Sequence, residues 1–134
     1  MRVRAAGIGA DSYEDRGLSE RCLLGFNSGP PIVPAGYNQN LQLFQTASYV
    51  VILNEMVHDA RIIPIIDQPH APASVKLWHG DSRGWWEGDT LIIETTNYSD
   101  ASGTSLETDR KVNVERLTRI NDSALQYQLT SSDP

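Results

Sequence analysis

Glu55, His58, Asp59 and Arg61 form the densest run of ionisable side chains in the chain. Histidine is the side chain suited to proton transfer near neutral pH, which makes His58 the natural candidate to move a proton. Asp59 or Glu55 would orient it, and Arg61 or Arg83 would hold an anionic substrate. If the preceding strand continues through Glu55, that carboxylate shares a face with Tyr49, Val51 and Leu53 and stands at the rim of an apolar cavity, where desolvation raises its pKa. This set describes a cofactor-free acid–base enzyme of the hydrolase or isomerase type. The competing description is a salt-bridged corner between two strands, and we favour it, because structural ion pairs assemble the same residue types.

Other constellations carry less chemistry. Gly80-Asp81-Ser82-Arg83-Gly84 matches the spacing of a nucleophile elbow, which needs a strand before the serine and a helix after it. Here tryptophans and a strand-like run follow instead, so the segment reads as a glycine-bounded turn. His58, His70 and His79, with Asp59, Asp67 and Asp81, match no metal-ligand spacing, and neither a metal nor a cofactor is expected. Trp78, Trp85 and Trp86 concentrate aromatic area in one stretch. Adjacent Trp85 and Trp86 point to opposite faces of a strand, which predicts one in the core and the outward one on a binding surface. The expected ligand pocket is lined by Tyr49, Val51, Trp78 and one of Trp85 and Trp86.

The elements that position these groups read as strands. Leu41 to Gln45 alternates, and Tyr49-Val50-Val51-Ile52-Leu53 is apolar on both sides, so the two pair across Ala47-Ser48. Arg61 to Ile66 is a further apolar run, and Pro64 places it at an edge or bulge because proline cannot donate to a ladder. Gly88-Asp89 suits a two-residue hairpin whose first central position has positive φ, and Leu91 to Thr96 has strand composition. Val112, Val114 and Ile120 fit alternation, while Val114, Leu117 and Ile120 also fit helical spacing; the turn at Asn121-Asp122-Ser123 favours the strand. Leu125, Tyr127 and Leu129 alternate with Gln126, Gln128 and Thr130, which predicts a strand with one apolar face. The fold expected is mainly β, an antiparallel meander forming a lipocalin-like barrel or a curved sheet. Residues 1–40 make an irregular N-terminal arm with a short helix at Leu18 to Leu24, and residues 41–134 make the β domain.

At 134 residues the chain is one domain on length priors. Cys22 is the single cysteine, so no disulfide forms within the chain. Seventeen acidic against 11 basic residues give a net charge of −6. The one basic cluster, Arg110, Lys111, Arg116 and Arg119, is diluted by Glu107, Asp109 and Glu115, which argues against nucleic acid as a partner. The apolar stretches fall far short of the ~20 residues of a membrane helix, so no membrane partner is expected either. The glycine-broken start, Met1 to Ala10, does not read as a leader, and the expected location is cytoplasmic.

The words VVILNEM from Val50, HDARIIP from His58, GDSRG from Gly80, WEGDTL from Trp86 and TTN from Thr95 resemble a large family of uncharacterised bacterial proteins. The likeness runs from about Cys22 onward. Many members are longer and carry an export leader; a short, leaderless form is similar to orphan reading frames of environmental DNA or gene cassettes. The resemblance implies kinship and carries no activity. The leading expectation is therefore a soluble binding or interaction domain with an apolar pocket, a small apolar or anionic ligand and homo-oligomeric assembly.

Overall fold

The computed structural model describes residues 12–25, 27, 29–34, 36–99 and 110–133. Within them the strands are β1 (Leu41–Gln45), β2 (Tyr49–Asn54), β3 (Ala60–Pro64), β4 (Asp81–Glu87), β5 (Thr90–Thr96), β6 (Val112–Asn121) and β7 (Ala124–Ser132). They form two antiparallel sheets, one of β1-β2-β3 and one of β4-β5-β6-β7, so every ladder joins strands that are consecutive in sequence. The described residues contain no closed barrel: β1 and β7 remain edges.

Each hairpin has a local cause. Between β1 and β2, the Thr46 hydroxyl accepts from the amides of Ser48 (3.3 Å) and Tyr49 (3.0 Å), a side-chain turn that sets Gln45 opposite Val50. Between β4 and β5, Gly88 adopts φ 60°, and Glu87 pairs with Thr90 across the two-residue turn. β3 stops at Pro64, and Ile65 then makes a parallel bridge to Gly84 of β4, the seam between the sheets.

The core lies along this seam. Val50, Ile52, Ile63, Leu91, Ile93 and Leu117 are buried together, with Ile32, Ile65 and Tyr127 packed against them. Ile32 brings the N-terminal arm into contact with the second sheet, since its amide donates to the Tyr127 hydroxyl at 3.1 Å. In that arm, Leu18 to Leu24 makes hydrogen-bonded turns rather than the expected helix, and Cys22 adopts φ 53°, which a continuing right-handed helix does not allow. Met1 to Ala10, Glu107 and Asp109 lie outside the described residues.

β6 is a strand, but its inward face is the opposite of the one its valines suggest. Asn113, Glu115 and Leu117 are buried, whereas Val112 and Val114 are only half-buried and Ile120 is exposed. Across the sheet, Gly84, Ile93, Glu115 and Leu129 form one inward row, with Trp86, Leu91, Leu117 and Tyr127 forming the next.

Candidate functional site

Three hairpin turns meet at one end of the molecule. Around them opens a groove of about 830 Å³, lined by Leu43, Phe44 and Gln45 of β1, Val50 of β2, the β4–β5 tip (Trp86, Gly88, Asp89, Leu91) and the β6–β7 tip (Leu117, Arg119 to Asp122, Leu125). Its floor is core: Val50, Leu91 and Leu117 are at most 9 % exposed. Its walls are not, since Leu43, Phe44, Trp86, Ile120 and Leu125 all retain over a third of their surface to solvent. A concave surface of this size with apolar walls and a few polar groups at the rim is the usual form of a small-molecule site. Asp89, Asp122 and Arg119 supply the rim charge, with Arg119 held to Asp122 at 2.9 Å.

Below the floor, one row along β6, lies a buried ionic pair. Arg61 Nη1 and Nη2 donate to Glu115 Oε1 and Oε2 at 3.1 and 2.6 Å, a fork-on-fork contact between side chains that are 1 % and 0 % exposed. The Tyr127 hydroxyl donates to Glu115 Oε1 at 2.9 Å while accepting from Ile32. Burial and the neighbouring Glu115 charge hold the Tyr127 phenol protonated well beyond the ordinary tyrosine range. The pair thus joins β3 of one sheet to β6 of the other, and Tyr127 extends it to the arm.

The opposite end is polar. His79 stands between the Gly29 carbonyl and the Asp59 carboxylate, at 2.7 Å from each, and so ties the arm, the β2–β3 corner and the approach to β4. His70 stands between Asp81 (2.9 Å) and Glu94 (3.1 Å) and fastens the β3–β4 connection onto β4 and β5. Asp81 also accepts from the Ala71 amide (2.8 Å) and from Arg83 (2.6 Å). Burial pushes the Asp81 carboxyl up, but Ala71, His70 and Arg83 together outweigh it and hold the group below the usual aspartate range.

A folded pKa below the unfolded one means that Asp81 contributes stability above the ordinary aspartate value of about 3.9, and that this contribution disappears as pH falls through its folded value. Asp81→Asn is therefore expected to lose about 1–2 kcal/mol at neutral pH, from weakened charged hydrogen bonds, and to show less acid destabilisation than the parent. Urea unfolding at neutral and acid pH measures both. An unchanged slope of stability against pH would remove Asp81 from this role.

The residues singled out by sequence separate in space. Glu55 is exposed and accepts from the amide and side chain of Asn40. It lies past the end of β2 and is not among the residues lining the groove. His58 is exposed in a 3-10 turn with φ 54°. Asp59, Arg61 and Arg83 are bonded to His79, Glu115 and Asp81 respectively, and none of Glu55, His58, Asp59, Arg61 and Arg83 lines the groove. The nearest approach to the salt-bridged corner is Asp59 with His79; Arg61 belongs instead to the centre of the molecule.

The ligand-binding set changes similarly. Trp86 lines the groove, but Tyr49, Val51, Trp78 and Trp85 do not. Trp85 and Trp86 do take opposite faces, yet neither is sealed in the core, with 39 % and 43 % exposure. The inward one is the groove wall, and outward Trp85 donates to Glu87 at 3.2 Å. Leu43, Phe44, Leu117, Leu125, Glu115 and Glu94 were not anticipated as site residues; the alternation of the β1 and β7 segments was the available signal for the apolar ones. The basic cluster is also dispersed, with Arg116 on Glu87, Arg119 on Asp122 and Lys111 buried. Among the described residues no group of three or more His, Cys, Asp and Glu side chains is arranged to hold a metal ion, and no helix is long and apolar enough to cross a membrane.

Comparison of the chain with protein-family models, curated proteins and solved structures finds no match.

Proposed function

We propose that this chain is a binding domain that takes an apolar small molecule into the groove ringed by its hairpin turns, and that it works as a homo-oligomer. The observation that carries the ligand reading is the combination of a groove of about 830 Å³ with a core-like floor and walls of Leu43, Phe44, Trp86, Ile120 and Leu125 left facing water. Exposed apolar area in a concavity gains free energy when a ligand displaces its water, at roughly 25 cal/mol per Å². The rim carries two aspartates against one arginine, and the chain has a net charge of −6, so an uncharged ligand fits better than an anionic one.

Titration with the neutral dye N-phenylnaphthylamine tests this, because the dye brightens in apolar surroundings and accepts energy from Trp86. Saturable binding at one site per chain is expected. Phe44→Ser and Leu125→Glu alter exposed walls, and each should weaken binding at least about tenfold, the equivalent of 1.4 kcal/mol. The same changes at Tyr49 and Ile62, exposed apolar residues outside the groove, should leave it intact. Binding that does not saturate, or that ignores Phe44 and Leu125, would sink the assignment.

A further inference from the structure

We infer that β7 is the self-association edge of this protein, pairing antiparallel with β7 of a second copy about a two-fold axis. The inference rests on the homo-oligomer part of the proposed function and identifies the surface that would produce it.

An edge strand presents unpaired amides and carbonyls to any other strand, and proteins that remain monomeric protect such edges with lysine, proline, bulges or short length. β7 has none of these protections. It runs for nine residues, Ala-Leu-Gln-Tyr-Gln-Leu-Thr-Ser-Ser, with no charge, proline or glycine. The irregularity in its hairpin falls on β6, between Arg119 and Asn121, and leaves β7 unbroken. Beyond the β6 ladder its main chain bonds no other described element. The other sheet edges differ. β4 carries Asp81, Arg83 and Glu87 and is bridged by Ile65; β3 carries Arg61 and ends in Pro64; β1 has only five residues.

β7 is also complementary to itself. Centring the pair on Tyr127 sets Leu125 opposite the partner's Leu129 and Gln126 opposite the partner's Gln128, so apolar side chains meet on one face and amides on the other. The flanking acids do not oppose each other, because Asp122 falls opposite the partner's Ser132 and Asp133 opposite the partner's Asn121. Leu125 and Leu129, 51 % and 38 % exposed although they belong to the inward rows, would gain cover. The product is an isologous dimer whose four-stranded sheets join into one.

Light scattering on the eluting protein tests the pairing through charge. The parent should elute at twice the chain mass. Gln126→Lys/Gln128→Lys places like charges directly opposite each other on the exposed face, as does Gln126→Glu/Gln128→Glu; both should elute as monomers with unchanged far-ultraviolet dichroism. Mixing the two in equal amounts should restore the doubled mass. A parent of single mass overturns both the edge and the homo-oligomer reading. A doubled parent whose two variants remain doubled overturns the edge alone, and monomeric variants that do not recombine overturn the Tyr127-centred register.

Discussion

Glu115→Gln is expected to lower the free energy of unfolding by about 3–5 kcal/mol, the cost of leaving one member of a buried ion pair without its partner. The substitution preserves shape and retains an acceptor for Tyr127, so the loss reports charge rather than packing. Arg61 would remain 2 % exposed with its positive charge facing an amide, and its Nε already has no hydrogen-bond partner among the described residues. Since a domain of this size has only about 5–15 kcal/mol in total, the variant should unfold at much lower urea concentration. Arg61→Met combined with Glu115→Leu should be markedly less harmful than Glu115→Gln alone, because removing both charges also removes the desolvation cost. Tyr127→Phe provides the scale: it leaves Glu115 one donor short and the Ile32 amide without its acceptor, for about 1–2 kcal/mol. A Glu115→Gln midpoint within the Tyr127→Phe range would show that the pair is solvated and not the tie between the sheets.

The same pair explains where sequence reasoning succeeded and where it failed. Strand identity was legible for β1, β2, β3, β5 and β7, as was β6 with its turn, because alternation, β-branched content and turn residues act over a few neighbouring positions. The face of β6 was not legible. Side chains alternate with period two, so choosing Val112 and Val114 as the inward set reverses every residue of the strand. The true inward set includes Glu115, which is buried only because Arg61, 54 positions away in sequence, arrives from the other sheet. No local pattern contains that partner.

The placement of the candidate site residues was not legible for a related reason. Ionisable residues close in sequence suggested one centre, but successive positions on a strand or tight corner face different ways. Asp59 reaches toward His79, Arg61 into the core, and Glu55 back to Asn40. The groove is made instead from turn-proximal residues of three hairpins, and its composition becomes visible only when the turns are brought together. Trp86 was recognisable as an aromatic that could face a cavity, and it does line the groove; its neighbours there, Phe44 and Leu125, were recognisable only as strand residues.

Gly84→Ala is the second substitution expected to have a large effect, because Gly84 is where the two sheets touch. A Cβ there would lie 2.7 Å from Ile65 Cδ1 and 3.0 Å from Ile63 Cγ2. Ile63 is fully buried and has nowhere to move, whereas Ile65 is only half-buried and its Cδ1 is the end of a flexible side chain. Overpacking of this kind costs about 1–3 kcal/mol, and Gly84→Val should exceed that range. The two contacts also predict the direction of rescue. Ile65→Val removes the nearer atom, so it should recover part of the loss in the Gly84→Ala background while destabilising the parent slightly. That opposite sign, read from urea midpoints of the four proteins in a double-mutant cycle, distinguishes a steric seam from a glycine needed for backbone freedom. If Ile65→Val costs the same in both backgrounds, the sheets do not meet through Ile65 and Gly84. If it rescues, the close approach at this glycine holds the β1–β2 wall of the groove against the β4–β5 wall, and dye affinity should recover with stability in the double variant.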